Sequence, residues 1–221
     1  GIELNATGVP TGRLFRLDAW LRQQLGQQDP IDVSVLSRRM ASFGITGFTD
    51  TSATNTAATV MQFQKMHERG EILQNASLMG DDSLAYGHLK ILLDEDSLPP
   101  LKELEARIRQ AREKKRGIAF HCVTHIELLF AIAALNSCAD LDPQIQFADR
   151  IEHGAVIFDE VLPMLRALNL SVITQPGFFD ERGVQYQQNL TEHELAHLYR
   201  YQTLLDAGIR VGLSSDAPYG P

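Results

Sequence analysis

Three residues with metal-binding side chains each lie at the end of a predicted strand in this 221-residue sequence. His121 ends "IAFH", His153 ends "RIEH" and Asp216 ends "VGLSSD". Neutral imidazoles are good ligands for zinc-class ions, so two histidines at neighbouring strand ends predict a metal centre. A carboxylate at the same place can bind the ion and accept a proton from an attacking water. Alternation along the strand predicts that Glu152 points away from His153, while Gly154 leaves space beside it.

Lys90 lies inside the apolar run "HLKILLD", where burial would penalise the ammonium form. Three interpretations are compatible with this position. The side chain extends to the rim of the strand, or it is a Schiff-base lysine as in barrel aldolases, or it is carbamylated and acts as a metal-bridging carboxylate. A Schiff-base enzyme has no evident use for two histidines and an aspartate at neighbouring strand ends. The set of Lys90, His121, His153 and Asp216 therefore favours the metal-binding interpretation.

A second histidine pattern, His193-Glu194-Leu195-Ala196-His197, matches the H-E-x-x-H motif of helical zinc proteases. Thr191 and Glu194 also form a capping box that begins a helix, which gives Glu194 a structural role. No glutamate follows His197 to complete a protease-type zinc site. We interpret this segment as a helix on the outside of the fold, with both histidines directed mostly toward solvent.

Short β-rich runs alternate with longer amphipathic patterns along the chain. The predicted strands are 45–52, 72–80, 88–94, 118–124, 150–157, 171–176 and 211–218. The predicted helices lie near 31–43, 54–69, 100–115, 126–138, 158–169 and 192–207. The first 30 residues resemble a loop and a helix. Residues 176–189 are predicted to be a rim loop, where Phe178, Phe179 and Tyr186 suggest a pocket for an apolar or aromatic acyl group.

Alternating strands and helices with apolar strands predict a parallel sheet covered by helices. No G-x-G-x-x-G or Walker pattern opens a helix, which argues against a doubly wound nucleotide-binding sheet. Polar residues instead gather at the carboxyl ends of many strands, as at the mouth of a (β/α)₈ barrel. These residues are Asp50, His121, His153, Gln175 and Asp216. The predicted fold is an α/β barrel of TIM type that is incomplete, since seven strands are recognised instead of eight.

The overall composition indicates a globular chain that does not bind nucleic acid. The formal net charge is −8 and the isoelectric point is near 5.3, and the one basic run, "REKKR" (112–116), fits a solvated helix end. Cys122 and Cys138 form no disulfide or zinc pattern, so we expect a reducing, cytoplasmic location. No apolar run approaches the roughly 18 residues of a membrane span. The chain is compatible with a homo-oligomer.

The sequence resembles the amidohydrolase superfamily, in particular the YtcJ-like members of the amidohydrolase-3 branch, over nearly its whole length. The segments that carry the resemblance are "GVPTGRL", "GITGFTD", "LKILLDED", "FHCVTH", "DRIEHGAVI", "LNLSVITQPGFF" and "LLDAGIRVGLSSDAPYGP". "RIEHG" followed by "GLSSDAP" at this separation is the strongest part. The resemblance implies a (β/α)₈ barrel with a metal centre at its carboxyl rim.

The resemblance also implies a role for each candidate residue. Lys90 corresponds to the fourth-strand lysine that can be carbamylated, and His121 and His153 to the ligands of the fifth and sixth strands. Asp216 corresponds to the eighth-strand aspartate, which is both ligand and general base. His125 departs from the family pattern, and we interpret it as a residue of the first helical turn.

The family's first strand carries an H-x-H pair, and none of the seven histidines here forms that pattern. The family's small β-sandwich is not recognised either. We therefore interpret residues 1–221 as one partial barrel domain, the central piece of a longer enzyme.

The predicted function is metal-dependent hydrolysis of amide or other C–N bonds, other than the peptide bonds of proteins. The expected cofactor is a divalent metal, zinc above all, and the expected partner is a small amide-type molecule. Two alternatives remain open at this point. One is a non-catalytic remnant or incomplete barrel that only binds a partner, and the other is a Schiff-base aldolase that uses Lys90.

Overall fold

The computed structural model describes residues 1–14, 17–26, 32–140, 145 and 147–220. Its strands are β1 (Ile2–Leu4), β2 (Pro10–Leu14), β3 (Gly47–Asp50), β4 (Asn75–Leu78), β5 (Leu89–Leu92), β6 (Ile118–Cys122), β7 (Arg150–His153), β8 (Ser171–Thr174) and β9 (Arg210–Leu213). Its α-helices are α1 (Asp18–Leu25), α2 (Ser34–Ser42), α3 (Ala57–Glu68), α4 (Leu101–Glu113), α5 (His125–Asn136), α6 (Leu162–Ala167), α7 (Gly177–Asn189), α8 (Glu192–Ala196) and α9 (Tyr201–Asp206). Helices therefore separate most of the strands from β3 onward.

The strands from β3 to β9 run parallel and follow one another in sequence order. β3 pairs with β4, and β5 to β9 form a five-stranded sheet. A parallel bridge between Gly80 and Leu89 connects the two groups. In a doubly wound sheet the strand order reverses at a switch point, whereas consecutive order is the arrangement of a barrel wall.

The core lies between the five-stranded sheet and its helices. Ile91, Phe120, Ile151 and Val172 occupy one register row across β5 to β8, and each is at most 2% exposed. They pack in one cluster with apolar residues of α4 and α5. Because side chains alternate along a strand, this packing directs the intervening residues to the other face, where polar groups collect.

The predicted α/β architecture is confirmed, and a strand lies within or close to each of the seven predicted runs. The first five predicted helices also have counterparts in α2 to α6. Position 31 of the first predicted helix, and residues 15–16 and 27–30 of the N-terminal segment, lie outside the described residues.

The N-terminal segment contains a hairpin that the sequence analysis did not predict. β1 and β2 pair antiparallel, and the Asn5 side chain accepts hydrogen bonds from the Thr7 and Val9 amides at 3.0 and 2.9 Å. This Asx-type turn reverses the chain. The short, exposed strands have no apolar alternation to reveal them. The predicted helix that follows is confirmed as α1.

Two predictions between β8 and β9 are wrong. The predicted rim loop forms α7, in which Phe178 is buried. The single helix expected over 192–207 is divided into α8 and α9, because Tyr199 has a positive φ of 48°. The Tyr199 amide donates to the Ala155 carbonyl at 2.7 Å, and Leu198 bridges to Val156. These contacts with the loop after β7 replace the continuation of the helix.

The basic run at the end of α4 is only partly solvated, contrary to our interpretation. Arg116 is 1% exposed and donates to five backbone carbonyls of the segment between β4 and β5. Arg112 forms a mostly buried ion pair with Asp149. Only the middle of the run, Glu113 to Lys115, is exposed.

Candidate metal centre

Lys90 and His121 lie on the face of the sheet opposite the helix-packed core. Lys90 is in register with Ala119 and Arg150, and His121 is in register with Glu152. Lys90 is 4% exposed. Burial lowers the pKa of its amine, while the nearby charge of Glu152 acts in the opposite direction. Burial therefore makes the ammonium form of Lys90 less favourable than it is in water.

His153 departs from the regular alternation of β7. Its φ is +69°, and that of Gly154 is +52°. A side chain at position 154 would come within 2.9 Å of both Ile157 and Val172, so glycine is needed there. The turn brings the His153 ring to 4.4 Å from the His121 ring, centroid to centroid, at an interplanar angle of 75°. The two histidines are thus brought into direct contact.

Gln175 holds His153 in one orientation. Its Oε1 lies 2.8 Å from His153 Nδ1, and its Nε2 donates to the Ser214 hydroxyl at 2.8 Å. An amide oxygen can only accept, so Nδ1 carries the proton and Nε2 of His153 keeps its lone pair. A hydrogen bond of this kind is the usual support of a metal-binding histidine.

Both imidazoles are kept neutral by their surroundings. Burial, together with the neighbouring charges of His153 and Lys90, lowers the pKa of His121 to about 3. Burial also lowers the pKa of His153, although the charge of Asp216 opposes this. Neutral imidazole is the form that binds metal. The donor chemistry of this pair therefore fits a borderline divalent ion.

Asp216 lies at the same end of the sheet, just beyond β9. Its φ is +55°, and its charge acts on both His153 and Lys90. In the part of the chain that the structure describes, however, no three His, Cys, Asp or Glu side chains are arranged to hold a metal ion. The assignment of Lys90, His121, His153 and Asp216 as ligands stays a prediction.

Asp50, another residue of the predicted rim, has a local role. Its carboxylate accepts hydrogen bonds from the Ser52 amide and the Asn55 side chain, at 2.8 and 2.9 Å. These contacts order the turn between β3 and α3. No contact connects Asp50 to the histidine pair among the described residues.

Glu152 is a potentially functional residue that the sequence analysis placed on the wrong face. Its register beside His121 puts it on the face that carries Lys90, and it is 4% exposed. Its carboxylate accepts a hydrogen bond from Arg150. The error arose because alternation was applied with His153 as the reference, and His153 is the residue that departs from alternation. The sequence did contain a signal for this placement. Arg150 and Glu152 are charged residues within a predicted strand, and buried charges need partners.

A cavity of about 330 Å³ adjoins this centre. It is lined by Gln175, Pro176, Gly177, Phe178, Leu213, Ser214 and Ser215. Gln175 and Ser214 are also the residues that support His153. Of the predicted pocket aromatics, Phe178 lines this cavity, whereas Phe179 is 51% exposed and Tyr186 hydrogen-bonds Tyr199.

A family comparison now decides the relationship that the sequence suggested. A model described as "Amidohydrolase family" matches residues 3–221. The chain belongs to the amidohydrolase family. No curated protein matches this amidohydrolase.

Solved structures share the fold of this amidohydrolase. An uncharacterized metal-dependent hydrolase from Pyrococcus furiosus aligns with a TM-score of 0.67 and 16% identity, over 85% of this chain and 46% of that chain. A metal-dependent hydrolase from Pyrococcus horikoshii OT3 aligns with a TM-score of 0.67 and 16% identity, over 84% and 44% of the two chains. The A. niger ochratoxinase aligns with a TM-score of 0.56 and 14% identity, over 86% and 56%. The chain spans about half the length of each of these proteins.

The H-E-x-x-H segment spans α8 and the residue that ends it, between β8 and β9. α8 lies beside the loop that follows β7, at the end of the sheet that carries the candidate centre. His193 is exposed, whereas His197 is half-buried, and both rings pack on Phe158. The predicted capping box of Thr191 and Glu194 is confirmed. Within the described residues, no helix is long and apolar enough to cross a membrane.

Proposed function

We propose that this chain carries part of the active site of a metal-dependent amidohydrolase, which hydrolyses amide or other C–N bonds of small molecules. The observation that carries the proposal is the contact between His121 and His153, both neutral, with Nε2 of His153 held unprotonated by Gln175. Family membership supports it. The zinc assignment and the YtcJ-like placement belong to the same proposal.

The proposed mechanism gives each residue a separate task. His121 and His153 would hold a zinc-class ion, with Asp216 as a further ligand. When bound, such an ion lowers the pKa of water and polarises a carbonyl. Asp216 accepts the proton of the attacking water and delivers it to the departing amine. Lys90, whose pKa is lowered by burial, would join the ligand set as a carbamate, formed when its neutral amine bonds to carbon dioxide and loses a proton.

We further propose that β3 to β9 form seven of the eight strands of a barrel. Their consecutive parallel order supports this arrangement. In the family, the remaining strand supplies an H-x-H pair of ligands, which would complete the set around His121 and His153. The small amide-type substrate, the cytoplasmic location and a homo-oligomer remain predictions.

The test uses the complete gene product and a panel of neutral N-acyl compounds. We expect one or two zinc-class ions per chain by elemental analysis, and hydrolysis of at least one compound. His153→Asn and Asp216→Asn should each reduce kcat/KM by at least about 100-fold, which is the lower range for loss of a general base. His67→Gln, which changes an exposed histidine on α3, is the control. Undiminished hydrolysis in both active-site variants would contradict the proposal.

The alternative functions are less well supported. The buried Lys90 amine fits a Schiff-base enzyme, but that chemistry does not use the histidine pair. Borohydride treatment with carbonyl compounds should leave Lys90 unmodified, and a trapped adduct would favour the aldolase. A non-catalytic remnant predicts neither bound metal nor hydrolysis in the complete gene product.

A further inference from the structure

Three imidazoles surround Phe158 on the loop after β7. The ring centroids of His125, His193 and His197 lie 4.1, 4.6 and 5.0 Å from that of Phe158. His193 and His197 also contact each other at 4.6 Å. Among the described residues, their ring contacts involve none of the residues of the candidate centre. The proposed amidohydrolase mechanism therefore leaves this cluster unexplained.

His193 lies in α8, and His197, four residues further on, is the C-cap residue at which this helix ends. Residues four apart in a helix lie one above the other. The first turn of the helix is stabilised by a capping box, in which Thr191 and Glu194 each bind the other's backbone amide. The carboxylate of Glu194 is engaged in that cap and is therefore not the base of a protease site. The two imidazoles remain as the chemically available groups of the H-E-x-x-H motif.

The protonation of His197 is set by its backbone contact. Nδ1 lies 2.7 Å from the carbonyl oxygen of His193, which can only accept a hydrogen bond. Nδ1 therefore carries the proton, and Nε2 keeps the lone pair that binds metals. A carbonyl bonded to the second ring nitrogen is a standard support of a metal-binding histidine.

The surroundings are compatible with a bound cation. Phe158 forms an apolar wall beside both rings. Asp159 and Glu160 follow it on the same loop. Arg200 binds Asp159 at 2.5 Å, while Glu160 lies 3.7 Å from Nε2 of His125. The one guanidinium that contacts this loop in the described structure is thus already paired with a carboxylate.

We propose that His193 and His197 form a second metal site, which binds a zinc-class divalent cation such as Zn²⁺, Ni²⁺ or Cu²⁺. Imidazole ligands select these ions over Mg²⁺ and Ca²⁺. No third His, Cys, Asp or Glu ligand is arranged around the pair in the described residues, so the proposed site has these two imidazoles as its ligands from the described residues. The bound ion would connect both ends of the five-residue helix α8, which is too short to be stable alone.

The experiment measures Zn²⁺ binding by equilibrium dialysis to a His121→Asn/His153→Asn variant, in which the candidate centre is disabled. We expect one ion per chain. His193→Gln or His197→Gln should weaken its binding by at least about tenfold, since even outer-shell changes alter metal affinity by 10- to 100-fold. His67→Gln is the matched exposed-histidine control and should have no effect. If the His121→Asn/His153→Asn variant does not fold, His193→Gln and His197→Gln are made in the otherwise wild-type chain. Each should then remove one bound ion.

Two further outcomes would overturn the proposal. If His125→Gln weakens binding as much as His197→Gln, the assignment of two ligands is wrong. A second measurement avoids substitutions in α8: Zn²⁺ should shift the imidazole NMR signals of His193 and His197, but not that of His67. Unchanged signals at saturating Zn²⁺ would exclude the site. Because the background lacks the candidate centre, these results do not depend on the proposed hydrolase function.

Discussion

At the level of single residues, the candidate centre depends on two imidazoles that burial keeps neutral. His121 and His153 are in contact, so protonating one would place a cation beside the other. Gln175 adds orientation, since its amide joins His153 to Ser214 on the next strand end. Gln175 is 2% exposed, so bulk solvent does not compete for these hydrogen bonds. The candidate ligand His153 and the side chain that orients it thus form one hydrogen-bonded unit.

Two substitutions of Gln175 should show whether it acts through its hydrogen bonds or through the space that its side chain fills. Gln175→Leu removes the acceptor for His153 Nδ1, and we expect metal affinity to fall by about 10- to 100-fold. Gln175→Glu keeps an acceptor at that position and should retain most of the affinity. Zinc binding by competitive chelation measures both. Gln187→Leu on the exposed face of α7 is the control, and equal affinity of Gln175→Leu and this control would contradict the prediction.

The lowered pKa of His121 predicts how the stability of the metal-free chain depends on pH. The unfolded state binds a proton near pH 6.5, whereas folded His121 does so only near pH 3. The folded state is therefore destabilised as pH falls from about 6.5 toward 3, by at most about 1.4 kcal/mol per pH unit for this one group. Urea unfolding across this range should show a shallower dependence in His121→Asn. Parallel curves for the variant and the wild type would contradict the prediction.

At the level of elements, positive φ angles decide where functional side chains point. His153 and Gly154 form a left-handed turn at the end of β7, which moves the His153 ring next to His121. Tyr199 uses the same conformation to separate α8 from α9. Its amide then pairs with the loop after β7. Both turns therefore determine which groups meet at the carboxyl end of the sheet.

Gly154→Ala should destabilise the chain by about 1–3 kcal/mol, because the left-handed backbone is strained for a residue with a Cβ. The added methyl also meets Ile157 and Val172 at 2.9 Å. The control is Gly183→Ala in the middle of α7, where, apart from the helix's own backbone, no atom of the described residues lies within 4 Å of the added carbon. We expect the control to be neutral or stabilising by up to about 1 kcal/mol. Urea unfolding compares the two, and equal stabilities would contradict the prediction.

At the scale of the whole molecule, a buried arginine helps to hold the two sheets together. The segment between β4 and β5 crosses from one sheet to the other, and a single bridge between Gly80 and Leu89 spans the junction. The Arg116 guanidinium donates to the carbonyls of this segment at distances from 2.8 to 3.4 Å. The carbonyls of Gly80 and His88 also accept hydrogen bonds from the Lys90 and Gly80 amides at this bridge, so the guanidinium links the bridge to Leu84 and Gly87 of the same segment. The end of α4 thereby stabilises the wall that carries Lys90.

Arg116→Met should destabilise the chain by about 3 kcal/mol or more, because five hydrogen bonds of a buried guanidinium are lost at once. The control is Arg109→Met. Arg109 lies on α4 and forms an exposed ion pair with Asp140, which this substitution removes. That change should cost less than about 1 kcal/mol. Urea unfolding gives both values, and hydrogen exchange should increase around residues 80–90 only in Arg116→Met. Similar losses of stability in the two variants would contradict the role of Arg116 in holding the two sheets together.

The sequence by itself determined the α/β class, the seven parallel strands and the family. Apolar runs, capping residues and glycines at helix ends are local signals. They occur throughout the sequence from "GITGFTD" to "GLSSDAP". The positions of His121, His153 and Asp216 at strand ends followed from the same signals. Lys90 within an apolar strand was recognisable because a buried amine is rare.

Only the tertiary structure decided which of these groups meet. The contact between His121 and His153 depends on a left-handed turn, and the protonation of His153 depends on Gln175, 22 residues away. The burial of Arg116 depends on a segment about 30 residues earlier. Periodicity describes the chain one element at a time. It does not contain the contacts between distant segments that override alternation, divide a helix or bury a charge.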